Sequence, residues 1–307
     1  MSGEPSKQSG ELGEKLAKEF LKLIGWDPSI NTINIPCTIK SHNRKSHGDD
    51  VLYVYNSPFM DSTTEVIHVS VKHKIKGYPK GAQGLRTELK QHLTELNTII
   101  ACAKVSEDVN RIIDSHPSKS KRNHRGLLIW VHSNEDMLER DIRPEIADIQ
   151  LAHDHTIPII LADTGRLSFI FNAISHCKRQ QLDDLDFYYP RLGNAVQSDH
   201  DRFGKKLPLE LIASDVLPIR AMVGQQPRLY LYIREKFSTA ALKKAYALAY
   251  GFADGWVEHI YIGFEDYNES RDSRSRAEAL MAFKNHPQTV SVFSYKTNLL
   301  SLLEENP

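Results

Sequence analysis

The sequence predicts an α/β protein in two parts, a mixed sheet flanked by helices followed by a smaller C-terminal α/β module. Three observations carry this. Apolar runs of strand length, such as Gly126-Leu127-Leu128-Ile129-Trp130-Val131, alternate with stretches of helical periodicity. A polar, turn-rich stretch then interrupts the alternation, and a β-α-β-α-β succession follows it. At 307 residues the chain is also long for one core, since domains run to roughly 150 residues.

Taken in order, Leu12, Leu16, Phe20 and Leu23 recur at helical spacing before Gly25-Trp26 and predict a first helix. Residues 47–54 and 66–74 read as strands. Leu85, Leu89, Leu93, Leu96 and Ile100 form one apolar stripe, which predicts a helix over 85–105. A buried strand is expected at 126–131, a helix at 143–153 and a further strand at 157–163. The His153-Asp154-His155 triplet at that helix's end is expected to be surface or capping groups. Residues 178–206 lack periodicity and contain Tyr189-Pro190-Arg191-Leu192-Gly193-Asn194, a boundary signal. Strands are then expected at 229–233, 259–264 and 289–295, with helices at 239–250 and 275–283, as a small doubly wound module. The domains are accordingly 1–177, a linker at 178–204, and a module at 205–307.

Composition excludes several classes. The formal net charge is zero, which argues against a nonspecific polycation, although basic residues cluster locally. Three cysteines, Cys37, Cys102 and Cys177, look too scattered for a zinc cluster and are odd in number for a disulfide framework. A reducing cytoplasm is the expected location. No apolar run reaches the roughly 18 to 20 residues of a membrane span, and Met1-Ser2-Gly3-Glu4-Pro5 lacks the regions of a signal peptide. No membrane association is expected.

The chemistry concentrates in the two early strands. Asp50 opens an apolar run and Lys72 closes one. Paired as an antiparallel hairpin, these strands would bring both residues to one end of a sheet, on neighbours about 5 Å apart. Upstream, Gly10-Glu11-Leu12-Gly13-Glu14 opens the first helix. A helix with an early glutamate, a strand carrying Gly-x-Asp and a strand ending in x-x-Lys, in this order, resembles the PD-(D/E)XK nuclease superfamily, over roughly the first quarter of the chain at motif level.

That resemblance implies a restriction-endonuclease-like core. It implies Asp50 as metal-binding aspartate, Lys72 as catalytic lysine, Glu14 as accessory acid, and the Val71 carbonyl as a further metal ligand. The departure is Ser70, where the superfamily usually carries Glu or Asp. Some restriction endonucleases resembling this pattern carry Ser-x-Lys and draw the acid from the following helix. Here Glu88, on the flank of the apolar stripe, is the first choice, and Glu95 the second, being further round and deeper. Glu88 reads equally as a solvated helix flank. Glu65 is set aside, because seven strand residues at about 3.3 Å each place it roughly 23 Å from Lys72.

The residue types suit the chemistry independently of the family. Mg²⁺ (or Mn²⁺) prefers oxygen ligands and is commonly held by one or two carboxylates with phosphate oxygens. A lysine ammonium can orient water and stabilise negative charge. Basic groups at Lys40, Arg44 and Lys45 and at Lys72, Lys74, Lys76 and Lys80 flank the proposed site and could neutralise phosphates. Arg44, Lys45, Lys74, Lys76 and Lys80 are the candidate nucleic-acid contacts. Lys119, Lys121, Arg122 and Arg125 form a third basic cluster that reads equally as a solvated loop.

The C-terminal module shows no phosphate-binding fingerprint and is expected to bind a protein partner, to self-associate or to regulate. Three functions follow. The leading one is a metal-dependent DNA endonuclease, with RNA an open alternative, in a bacterial anti-phage or restriction setting suggested by the resemblance. The second is an inactive nuclease fold that binds nucleic acid, motivated by Ser70. The third is a protein-interaction scaffold.

Overall fold

The computed structural model describes residues 4–27, 29–138, 140–180, 182–191 and 202–296. The chain divides into two compact units, Met1–Leu167 and Ser168–Pro307.

The first unit contains α1 (Glu4–Leu23), β1 (Ile30–Pro36), β2 (Ser46–Asn56), β3 (Thr63–Lys74), α2 (Ala82–Ala103), α3 (Glu107–Asp114), β4 (Lys121–His132), α4 (Arg143–Ile146) and β5 (Ile159–Asp163). Its strands form a five-stranded sheet in the order β1-β2-β3-β4-β5. The first three pair antiparallel, as a short loop allows, while β3, β4 and β5 run parallel. A parallel pair needs a crossover, and α2 with α3 supplies it between β3 and β4. This is the mixed sheet covered by helices that the sequence predicts.

One face of the sheet is covered by α1. Its buried line is Gly13, Ala17, Phe20 and Leu21, continued by Ile24 just past its end, not the line through Leu12 and Leu16, which are 47% and 39% exposed. The small residues set this rotation. A Cβ on Gly13 would stand 2.5 Å from His73 Cβ, so glycine lets the helix rest directly on the end of β3. Beyond the helix, Trp26 stacks on Tyr53 at 4.7 Å between ring centres.

The opposite face is covered by α2. Leu85, Leu89, Leu93, Leu96 and Ile100, the stripe read from sequence, pack on Leu128 and Trp130 of β4. Further along the same helix Ile99 and Cys102 meet Ile35, Leu52 and Val66. The helix expected over 143–153 is only the short α4; Ile142, Ile146 and Ile149 nevertheless join the α2 cluster.

The second unit contains most of α5 (Thr164–Arg179), then β6 (Asp183–Tyr188), β7 (Phe203–Gly204), α6 (Leu209–Ala213), β8 (Val216–Val223), β9 (Gln226–Ile233), α7 (Thr239–Ala253), β10 (His259–Phe264), α8 (Glu269–Met281) and β11 (Thr289–Ser294). The sheet order is β11-β10-β9-β8-β6-β7. The expected β-α-β-α-β succession is β9-α7-β10-α8-β11, with parallel strands. It is not doubly wound: strand order advances without reversal, and α7 and α8 share one core cluster with Leu229, Ile260 and Val292. The other sheet face carries Tyr230, Tyr232 and Phe293, and α5 covers it, with Cys177 Sγ 2.8 Å from the Tyr232 hydroxyl.

The segment 178–204, expected as a linker, holds β6, which pairs with β8 and β7. It lacks periodicity because its polar residues find partners elsewhere in sequence: Asp186 is bound by Arg220 of β8 and by Lys205. Residues 192–201 of that segment lie outside the described residues.

Candidate active site

The strand β3 organises the site. Its pairing with β2 runs from Asn56↔Thr64 to Val51↔Val69. Just past the last pair, the Val71 N–H donates to Asp50 Oδ2 at 2.8 Å. Asp50 occupies a break in the strand's alternation. Asp49 and Leu52 are three residues apart, yet both face the α2 layer: Asp49 Oδ2 lies 2.6 Å from His68 Nδ1, and Leu52 packs with Ile99. The break sets Asp50 beside the β3 backbone.

On the α2 side of β3, two lysines meet two helix acids. Lys72 Nζ donates to Glu95 Oε2 at 2.9 Å, and Arg44 Nη1 stands 3.9 Å from Glu95 Oε1. Lys74 Nζ donates to Glu88 Oε2 at 2.5 Å, and His92 Nε2 lies 3.3 Å from Glu88 Oε1. Burial works to raise the Glu95 carboxyl, but the hydrogen bond and charge of Lys72, then the charge of Arg44, hold it below the usual carboxylate range. Burial first, and then the Lys72 charge, lower the His92 pKa, which keeps that ring neutral at pH 7. Of the two acids considered from sequence, Glu95 therefore touches Lys72, and Glu88 touches Lys74.

A cleft of about 510 Å³ opens here, lined by Val71, Lys72, Lys74, Lys76, Glu88 and His92 among others. Asp50 does not line it; it reaches this end of the sheet through the Val71 N–H. Ser70 is buried at 3% exposure. Glu14 is exposed, on α1 next to the Gly13 that rests on β3. Lys45 is exposed, and Lys80 lines a separate hollow with Asn134 and Arg140. Glu65 is fully engaged elsewhere, accepting from Asn123 and paired with Arg125 at 3.7 Å. Arg122 of the third basic cluster is likewise engaged, by Asp114.

A hard divalent cation takes oxygen donors. Asp50 retains Oδ1 beyond its bond to Val71, the Val71 main chain carries a carbonyl, and Glu95 is held ionised. These oxygen donors are of the type that Mg²⁺ or Mn²⁺ takes.

Sequence reasoning ranked Glu95 second; His92 stands one helical turn beyond Glu88, at i, i+4 spacing, and contacts it. Sequence reasoning also set the cysteines apart. Cys37 and Cys102 in fact lie 3.8 Å from each other, with His42 and His47 beside them, and only Cys177 lies elsewhere. Their separation in sequence hid the contact, because β1 and α2 meet only across the sheet.

A family model described as the GAPS4 protein PD-(D/E)XK nuclease domain matches residues 1–166, just over half of the 307-residue chain. No curated protein and no solved structure gives a match. Among the described residues, no helix is long and apolar enough to cross a membrane.

Proposed function

Because the chain belongs to the GAPS4 PD-(D/E)XK nuclease domain family, we propose that it is a divalent-metal-dependent endonuclease that hydrolyses DNA phosphodiester bonds in bacterial anti-phage or restriction defence. The observation that carries the reading is the end of β3, where the Asp50 carboxylate sits on the Val71 N–H and the Lys72 ammonium is steered by Glu95. In this reading Asp50, the Val71 carbonyl and a helix acid would hold the metal. The cation, when bound, supplies Lewis acidity and lowers the pKa of a water.

The chain's own groups do the rest. Lys72, fixed by Glu95, orients the attacking water and stabilises charge building on the phosphate. Glu14 is the accessory acid. Arg44, Lys45, Lys74, Lys76 and Lys80 neutralise flanking phosphates. The second unit positions the nuclease, through a protein partner or by self-association, in the cytoplasm. A nicking assay on supercoiled DNA with Mg²⁺, Mn²⁺ or EDTA tests the reading; cutting that persists in EDTA, or never occurs with either metal, overturns it.

One observation favours a second reading, a nucleic-acid-binding subunit without catalysis: position 70 is a buried serine where the superfamily pattern carries an acid. DNA or RNA binding in EDTA, without cutting in metal, would select it.

A further inference from the structure

Four metal-ligating side chains converge at one point of the first unit. Cys37 follows β1, His42 lies in the β1–β2 connection, His47 is the second residue of β2, and Cys102 is in the last turn of α2. One ligand atom from each lies within 4.8 Å of the other three. Cys37 Sγ is 3.8 Å from Cys102 Sγ and 3.7 Å from His42 Nδ1. His42 Nδ1 is 3.4 Å from Cys102 Sγ and 3.3 Å from His47 Nε2.

These four separations match four of the six edges of a zinc tetrahedron. With Zn–S about 2.3 Å and Zn–N about 2.05 Å, a regular tetrahedron has edges of about 3.8 Å (S–S), about 3.6 Å (S–N) and about 3.3 Å (N–N). Hydrogen bonding does not account for the cluster. Three groups crowd His42 Nδ1, which has either one lone pair or one N–H, so it can make one good hydrogen bond and not three. A disulfide does not account for it either, because that bond is about 2.05 Å long. A central cation uses one lone pair from each of the four atoms.

The surroundings fit a closed site. His47 and Cys102 are buried, Cys37 and His42 half-buried, and the cluster adjoins the apolar side chains of Ile35, Leu52 and Ile99. Four protein ligands leave no open position, which is the arrangement of a structural and not a catalytic zinc.

We propose that Cys37, His42, His47 and Cys102 bind one structural Zn²⁺ ion, which clamps the β1–β2 connection to the end of α2. The clamped segment carries Arg44, which reaches Glu95, and leads directly into Asp49 and Asp50. Zinc would thus hold one wall of the proposed nuclease site in place while taking no part in the chemistry. The inference stands whether or not the chain cuts DNA.

The test uses the full chain, expressed in zinc-supplemented medium and purified without chelator. Elemental analysis should find about one zinc per chain, retained in Asp50→Asn, which separates this ion from any at β3. X-ray absorption at the zinc edge should show two sulfur and two nitrogen neighbours. Cobalt(II) in place of zinc should give tetrahedral d–d absorption with thiolate charge-transfer bands, weakened in Cys37→Ser and in Cys102→Ser. Should those variants not fold, the absorption spectrum of the unaltered chain still decides. Folded protein without zinc, zinc with only nitrogen and oxygen neighbours, or zinc lost in Asp50→Asn would each overturn the proposal.

Discussion

Lys72 of β3 and Glu95 of α2 form a 2.9 Å ion pair across the layer between strand and helix, and Lys74 repeats the arrangement with Glu88. The helix number falls as the strand number rises, so the two elements run in opposite directions. The lysines are two strand residues apart, about 7 Å, and the glutamates are seven helix residues apart, about 10.5 Å. Long side chains absorb the difference. Each acid is thereby assigned its own lysine.

The first prediction separates the two acids. If Glu95 supplies the carboxylate absent at position 70, Glu95→Ala should lower cleavage by at least about 100-fold, and adding Ser70→Glu should recover part of the loss. Glu88→Ala should then cost less, acting through Lys74. Cleavage rates of Glu95→Ala and Glu88→Ala, each with and without Ser70→Glu, check this; full activity in Glu95→Ala together with loss in Glu88→Ala would reassign the role to Glu88.

Asp50 can be tested without disturbing the strand. Asp50→Asn keeps an oxygen for the Val71 N–H and should abolish metal-dependent cutting with an unchanged melting temperature. Asp50→Ala should lose cutting and also about 1–3 kcal/mol of stability, because it leaves that N–H without its acceptor. Thermal melts alongside the nicking assay distinguish the two. Wild-type cutting by Asp50→Asn would remove this residue from the site.

Salt should govern affinity. With phosphates neutralised by Arg44, Lys45 and the Lys74–Lys80 group, log affinity for duplex DNA should fall linearly with log salt, by about 0.9 per phosphate contact. Arg44→Ala with Lys45→Ala should weaken all sequences equally and make the slope shallower by about 2. An unchanged slope would show that these side chains make no phosphate contacts.

Acid stability should depend on His124. Burial first, then the charges of His68, Lys104 and Arg122, push its pKa down to about 3 from 6.5. A depressed folded-state pKa means that the unfolded chain binds the proton first. The contribution to stability is complete above pH 6.5 and is lost as pH falls from 6.5 toward 3. Its slope reaches about 1.4 kcal/mol per pH unit. Urea unfolding of His124→Gln at pH 7, 6 and 5 should therefore show a flatter acid limb than the unaltered chain. Equal slopes would mean that His124 takes up its proton over the same pH range in the folded and unfolded chain.

Division of the chain should respect α5. Its second half belongs to the second unit, where His176 Nδ1 and Cys177 Sγ lie 2.9 Å and 2.8 Å from the Tyr232 hydroxyl. A fragment of residues 168–307 should melt cooperatively in a calorimeter, whereas one starting at 205 lacks α5 and β6 and should not. Residues 1–167 should keep any phosphodiesterase chemistry. A cooperative transition of the 205–307 fragment at the same temperature would restore the boundary expected from sequence.

What the sequence determined by itself is what local patterns encode. Period-two and period-3.6 apolar spacing placed β10 at 259–264, the stripe of α2 and the β9-α7-β10-α8-β11 order, and the chain order of Glu14, Asp50 and Lys72 pointed to the nuclease family. The rest depends on contacts between elements, which local patterns do not carry. Only the fold shows that Gly13 and Ala17 turn α1 so that Leu12 and Leu16 face out, since close approach to β3 outweighs the larger side chains. Only the fold pairs Asp186 with Arg220 and makes a strand of a stretch that reads as linker. Only the fold gives Lys72 to Glu95 and draws Cys37, His42, His47 and Cys102 together, because those distances are set by how α2 lies across the sheet and not by spacing along the chain.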